Sequence, residues 1–288
     1  MKSKEKRSLA VLVGAMCIFG TIGILRRFIP LPSSLIALVR GVIGSLFLLV
    51  TSLLRGQKPD TAAIRRNLHL LLLSGAAIGF NWIFLFEAYC YTTVATATLC
   101  YYLAPVLVIL LSPLVLKERL TIRGILCALV AVAGMVPVSG ILDTDFSGMG
   151  ELKGILFGLA AAVLYASVML INKKIHGIGA NDKTMFQLIF ASVVLLPYVL
   201  LTEDLTQCSF PPLSVGLLLT AGILHTGIAY LMYFGAMGQL KAQTTALFSY
   251  IDPILAILLS ALLLQEPMGI PAIIGSVMIL GSAIANET

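Results

Sequence analysis

Charge is what this chain has least of. Asp, Glu, Lys and Arg make up only 11% of it, while 59% of its residues are hydrophobic and the mean hydropathy is +1.03. A soluble domain averages about 25% charged residues. A water-facing surface made from this composition would expose apolar patches well beyond the few hundred Å² that soluble monomers tolerate. Cysteine is sparse and unpatterned. Its five copies include no CxxC and no spacing with His that suits a metal, which argues against a disulfide framework and a zinc site alike. Walker A, HExxH and GxSxG patterns are all missing, so ATP-driven work within this chain, zincin chemistry and serine hydrolysis have no support. Neither a cofactor nor a metal is expected, and the chain does not read as an enzyme. Long loops are also lacking, which weighs against a sensor or scaffold. The net charge of +6 is spread over short loops rather than gathered on one face, so nucleic acid is not an expected partner.

What the chain has is apolar runs of one length. A membrane-spanning helix needs about 20 mostly apolar residues, and in lipid every backbone group must bond within its own helix. The pattern predicts an all-α integral membrane protein with helices near 9–28, 34–54, 68–89, 94–116, 121–139, 153–172, 184–202, 213–236, 242–264 and 268–286. The basic opening Met1–Ser8 precedes a run too long for a signal peptide, and Ile24–Arg27 is no small-residue cleavage site, so this run reads as span 1. With the N-terminus inside, 15 Lys and Arg fall in cytoplasmic loops and 3 (Arg26, Arg27 and Lys153) in outer ones. The positive-inside rule then places both termini in the cytoplasm, as expected of a multi-pass protein of the cell membrane.

The strongest pattern is internal. Thr96-Ala-Thr-Leu-Cys-Tyr-Tyr-Leu-Ala-Pro105 matches Thr244-Thr-Ala-Leu-Phe-Ser-Tyr-Ile-Asp-Pro253, and both continue through a shared Ser (Ser112, Ser260) to a Glu (Glu118, Glu266) at a constant offset of 148. Apolar bias alone does not align Thr, Tyr, Pro, Ser and Glu in one register. The chain is therefore read as two five-helix repeats, 1–139 and 153–288, joined by an external linker at 140–152. Five is odd, so the second repeat enters the membrane from the opposite side. Such inverted repeats typify secondary transporters, with a substrate site near the midplane between the halves.

The pattern Leu103-Ala-Pro105…Lys117-Glu-Arg-Leu120, its echo Asp252-Pro253…Gln265-Glu-Pro-Met268, and the opening Gly14…Phe19-Gly-Thr21 before Arg26-Arg27 resemble the EamA-type transporters of the drug/metabolite transporter superfamily. The resemblance covers about residues 10–285. It implies export or exchange of small metabolites, amino-acid-like solutes foremost, through a central cavity formed by helices 1, 3, 4, 6, 8 and 9. A hydrophobic organic cation is the alternative substrate.

Polar residues at depth are the candidate site, because a charge near the bilayer centre costs about 2.5–3.5 kcal/mol on insertion scales. Asp252 and His225 fall near the midplane. The repeat mate of Asp252 is Ala104, so the acid is not needed to build the helix. Asp252 precedes Pro253, which lacks an N–H. It reads either as a site for a coupling proton or monovalent cation, or as an acid hydrogen-bonded within the bundle. His225 either neighbours it or is a packed imidazole bonded to a carbonyl. Arg40, near the middle of span 2, stays charged. Glu87 is nearest in depth, so either the two form a structural ion pair or Arg40 contacts an anionic substrate group directly. Pro105 and Pro253 are expected mid-helix, as hinges or as static kinks. Trp82 aligns with Tyr230, and Tyr102 with Tyr250. These, with Tyr101, lie too deep for an interfacial belt and either line the cavity or pack the bundle. Gly75-x-x-x-Gly79 and Gly154-x-x-x-Gly158 permit close helix approach. The expected partners are a small-molecule substrate and the lipid bilayer; the sequence leaves the oligomeric state open.

The orientation is tested by single cysteines in a cysteine-free background. Positions 145 and 204 should label from outside and positions 58 and 174 from inside. Labelling of position 145 from the cytoplasm alone would overturn the orientation.

Overall fold

The computed structural model describes residues 3–92, 94–139, 149–263 and 269–287, and among them every regular element is a helix. In the first half, α1 (Ser3–Gly20) and α2 (Ile22–Arg27) are separated only by Thr21. They are followed by α3 (Ser33–Leu54) and α4 (Thr61–Tyr91), by α5 (Val94–Tyr101) and α6 (Ala104–Leu116) around a turn at Tyr102 and Leu103, and by α7 (Ile122–Ser139). The second half begins with α8 (Met149–Lys174) and α9 (Ala180–Thr202). Next, α10 (Pro212–Thr220) runs through a π-helical stretch, Ala221–Ile228, into α11 (Ala229–Met237). The half ends with α12 (Ala242–Phe248) and α13 (Ile251–Leu263) around Ser249 and Tyr250, and with α14 (Ile270–Glu287). Most of the linker expected at 140–152, and Glu266, lie outside the described residues.

Among the described residues six segments are long and apolar enough to cross a membrane: Ser33–Leu54, Thr61–Tyr91, Leu99–Leu116, Leu152–Lys174, Ala180–Thr202 and Pro212–Met237. Ile122–Pro137 and Ile273–Ser282 are shorter apolar helices. The structure thus shows fewer full-length spans than the ten expected. One reason is visible in spans 1 and 9, which are broken rather than continuous; span 4 is broken too, although Leu99–Leu116 is still among the six.

The prolines explain two of the breaks and correct an expectation. Pro105 and Pro253 do not kink the middle of a helix. Pro105 is the second residue of α6 and Pro253 the third of α13. In a helix interior proline clashes with the carbonyl four residues back, whereas in a first turn its missing N–H is one that has no intrahelical partner anyway. The chain therefore ends one helix and starts another. Leu103 N–H bonds the Cys100 carbonyl at 3.2 Å, and Tyr250 N–H bonds the Leu247 carbonyl at 3.2 Å.

The two halves pack as mirror roles. α4 rests on α8 as α11 rests on α1, and α4 meets α9 as the π stretch meets α3. The pairs α3·α9, α6·α12 and α7·α14 join equivalent segments. Those equivalents run in opposite directions. Along α3 and α9, Ser34 bonds Glu203 while Asn181 reaches the Leu48 carbonyl at 3.5 Å. Along the α5–α6 and α12–α13 segments, Tyr250 bonds Tyr102 at 2.8 Å while Gln243 bonds Ser112 at 3.0 Å. Antiparallel equivalents are what an inversion between repeats produces.

Helices driven together in lipid approach through small residues, because apolar bulk gains nothing over the lipid itself. A Cβ on Gly75 would lie 2.8 Å from the Gln187 carbonyl, and one on Gly79 2.9 Å from the Ala191 carbonyl. Both glycines seat α4 on the backbone of α9. Gly216, in contrast, faces open space. Gly75→Val should destabilise the fold by about 1–3 kcal/mol through overpacking, while Gly216→Ala leaves it unchanged. Thermal unfolding in detergent, followed by loss of the monodisperse peak, measures the difference.

Candidate functional site

A cavity of about 370 Å³ lies between the halves. Its walls come from α1 through α5, α8, the π stretch, α11 and α13. It is one-sided. Phe19, Arg40 and Trp82 are its innermost residues on the first three long segments, and the lining runs from them toward Leu25, Ser33 and Tyr89. Beyond its floor Leu12, Met16, Phe234 and Tyr250 are fully buried.

Aromatic rings make most of the wall. Tyr101 stacks on Tyr165 at 5.4 Å, and Tyr230 meets Phe19 edge-on at 5.1 Å. The Tyr165 and Tyr233 hydroxyls bond at 2.9 Å across the floor. Two opposite charges stand in this aromatic shell. Arg40 places its guanidinium over the Trp82 ring, 5.1 Å from the centroid, with the Tyr230 hydroxyl beside it. Its Nε is buried without a hydrogen-bond partner. Asp252 accepts a long hydrogen bond, 3.4 Å, from the Tyr102 hydroxyl. Among the described side chains neither Arg40 nor Asp252 forms an ion pair.

The Arg40–Glu87 pair expected from depth is not formed. Glu87 accepts the Tyr198 hydroxyl at 2.6 Å and does not line the cavity. The physical reason lies in helix neighbours. α4 lies against α9 along its length, so the C-terminal end of α4 meets the C-terminal end of α9, where Tyr198 supplies a donor, while Arg40 stands beside Trp82, more than a turn further back along α4. Nor is His225 placed against Asp252. Its Nε2 is 2.8 Å from the Thr21 hydroxyl, at the α1–α2 break, and its Nδ1 is 3.5 Å from the Thr220 carbonyl.

Of the residues singled out in the sequence, the cavity brings together Arg40, Trp82, Tyr101, Tyr102, His225, Tyr230 and Asp252. Tyr250 lies beneath it, bonded to the Tyr102 carbonyl, and Pro105 and Pro253 build the turns behind it. Sequence reasoning missed Tyr165, Tyr233, Phe19 and Tyr89. Tyr165 and Tyr233 were detectable, since each stands deep within an apolar run. It also missed the π stretch. There the Thr226 hydroxyl bonds the Ala221 carbonyl at 2.9 Å, five residues back, and such stretches recur at functional sites.

The chain matches the EamA-like transporter family twice, at residues 6–140 and 152–286. It belongs to that family. The transporter YxxF of Bacillus subtilis is 31% identical over 90% of this chain and 83% of its own length. PecM of Dickeya dadantii is 27% identical over 94% and 89%, and RarD of Escherichia coli 27% over 71% and 66%. One solved crystal structure superposes with a TM-score of 0.85 at 20% identity, covering 97% of this chain and 96% of the other. That likeness shows the fold. The EamA-like chain is thus a multi-span membrane protein of a transporter family, and its cavity is the feature a transporter needs.

A double-mutant cycle separates the two partners of Glu87. Glu87→Gln with Tyr198→Phe should show a coupling of about 1 kcal/mol in unfolding free energy, as for a side-chain hydrogen bond. Glu87→Gln with Arg40→Leu should show coupling near zero. A larger coupling in the second cycle would restore the ion pair.

Proposed function

We propose that this protein is a secondary transporter of small zwitterionic solutes, amino-acid-like in having one carboxylate and one ammonium. The carrying observation is that one cavity between two antiparallel repeats holds Arg40 and Asp252, neither of them in an ion pair among the described side chains. Arg40 is the receptor for the carboxylate. A guanidinium supplies paired donors in a fixed fork that matches a carboxylate, and Trp82 and Tyr230 hold it without neutralising it. Asp252 receives the ammonium, and the rings of Tyr101, Tyr165 and Tyr230 pack the carbon skeleton and stabilise the adjacent cation.

In this reading the chain makes ten spans with both termini in the cytoplasm of a cell membrane. The two repeats, 1–139 and 153–288, rock about the breaks at Pro105 and Pro253. The cavity opens toward the ends of α2 and α4, which the charge bias places outside. Asp252 is also the coupling candidate, since an acid facing the cavity from a helix start exchanges a proton for a substrate cation. Export of a hydrophobic organic cation is the second reading. Asp252 within its aromatic shell favours it, while the charge of Arg40 in the same space works against it.

The test is uptake and binding in proteoliposomes with three forms of one compound: free amino acid, methyl ester and N-acetyl derivative. Each derivative loses one charge. Loss of a charge-assisted hydrogen bond is worth about 1.5–3 kcal/mol, so each should bind roughly ten- to hundred-fold more weakly. Arg40→Leu should abolish the penalty for the ester, and Asp252→Asn the penalty for the N-acetyl form together with pH-gradient-driven uptake. Equal transport of all three forms by the wild type would refute the zwitterion assignment. Preference for the ester would favour the cation reading.

A further inference from the structure

The closed end of the cavity is held by two lysines that the site itself does not use. Lys183, in the first turn of α9, is only 5% exposed. Its ammonium donates to the Phe234 carbonyl at 3.1 Å and stands 5.9 Å from the Phe234 ring. Lys173, in the last turn of α8, donates to the Met237 carbonyl at 3.0 Å and to the Leu240 carbonyl. Together they bind the C-terminal end of α11. This is the end where helix carbonyls lack intrahelical donors and the backbone dipole favours cations. α11 also carries Tyr230 and Tyr233, so fixing its end fixes the cavity floor. Among the described side chains neither lysine forms an ion pair. Glu118 is near enough to act on Lys173 electrostatically, but its Oε1 accepts the Ala242 N–H at 2.9 Å.

The repeat shows what this contact becomes at the other end. α3 and α9 are equivalent with an offset of 147, which pairs their caps Pro32 and Gly179 and makes Ile36 the counterpart of Lys183. Across α4 and α11 the offset of 148 makes Phe86 the counterpart of Phe234. Ile36 and Phe86 both line the open cavity, on walls from α3 and α4. The contact made by Lys183 and Phe234 at the closed end therefore maps onto two apolar residues at the open end.

We infer that Lys183, supported by Lys173, is a polar latch that shuts one end of the transport path, and that its counterpart at the other end is the apolar contact of Ile36 with Phe86. The inference rests on the transporter reading for its purpose but not for its geometry. Opening at the lysine end requires the ammonium to leave the α11 carbonyls, and the same rearrangement brings Ile36 toward Phe86. The latch therefore biases the protein toward the state seen here, open at the Ile36 end.

Disulfide cross-linking of Ile36→Cys with Phe86→Cys in a cysteine-free background reports that closure without any substrate. The wild-type lysines should give little cross-link under mild oxidation. Lys183→Met, which keeps the length and removes the charge, should raise the cross-linked fraction several-fold. Lys183→Arg should return it toward the wild-type value, and Lys173→Met should raise it more modestly. If Lys183→Met is recovered only in low monodisperse yield, Lys173→Met at normal yield carries the test alone. An unchanged cross-linked fraction in the lysine-to-methionine variants overturns the latch. A protein that cross-links as expected yet moves no zwitterion would instead sink the transport assignment and leave the latch standing.

Discussion

The architecture turns on one meeting of backbone and side chain at the interface of the halves. A proline starts a new helix in each repeat, and the turn before it leaves carbonyls without their usual helical donors. At Tyr102 the gap is filled from the other half, since the Tyr250 hydroxyl donates to its carbonyl at 2.8 Å. In a lipid-facing protein an unsatisfied backbone group costs several kcal/mol, so this bond makes a broken helix tolerable inside the bundle and fixes the repeats in antiparallel register. Tyr102 and Tyr250 are repeat mates, yet they do not exchange equivalent bonds. The Tyr102 hydroxyl turns to Asp252, because the position that is Ala104 in the first repeat is Asp252 in the second. One substitution breaks the pseudo-symmetry at its centre and places the acid on the cavity.

Much of this was legible in the sequence, for identifiable reasons. Composition alone dictated helices, since lipid admits no lone strand. The repeat was legible because polar residues aligned in an apolar background, whereas the alignment of Trp82 with Tyr230 left open whether the two rings line the cavity, and the structure sets them 6.2 Å apart on its lining. Depth counting singled out Arg40, His225, Asp252, Tyr101, Tyr102 and Tyr230, all of which line the cavity, because a straight helix has a fixed rise. It failed where contact depends on rotation about the helix axis. Glu87 shares the general depth of Arg40 but faces α9, where Tyr198 bonds it at 2.6 Å.

The π stretch at Ala221–Ile228 was invisible for a related reason. Apart from His225 its residues are apolar or small, and its glycines, Gly222 and Gly227, are equally at home in an ordinary transmembrane helix, so nothing local distinguishes five-residue from four-residue bonding. Tertiary packing selects it. Gly44 on α3 lies against Gly222, Thr226 and Gly227, and a Cβ on Gly222 would meet Ile43 at 2.4 Å. The wider turn then brings His225 to the Thr21 hydroxyl at 2.8 Å, tying the π stretch to the break between α1 and α2. Two irregular backbones thus support each other at the cavity wall, where a straight helix on either side would leave one partner out of reach.

Opposite charges in one cavity also decide what a moving carrier must work against. Reorienting a single net charge across the membrane is worth about 2.3 kcal/mol per 100 mV, and an uncompensated guanidinium also carries a desolvation cost. Arg40 and Asp252 sum to zero, and a zwitterion adds zero, so under the proposed reading the loaded cavity changes access without moving net charge. Among the described side chains the two charges do not pair with each other, and each has an aromatic neighbour instead. Trp82 engages the face of the guanidinium at 5.1 Å, and Tyr102 engages the carboxylate. Were the two to pair with each other, the cavity would lose both of its polar ends at once. Under the proposed reading, two charges that stand apart in the cavity complement a solute whose own charges are separated.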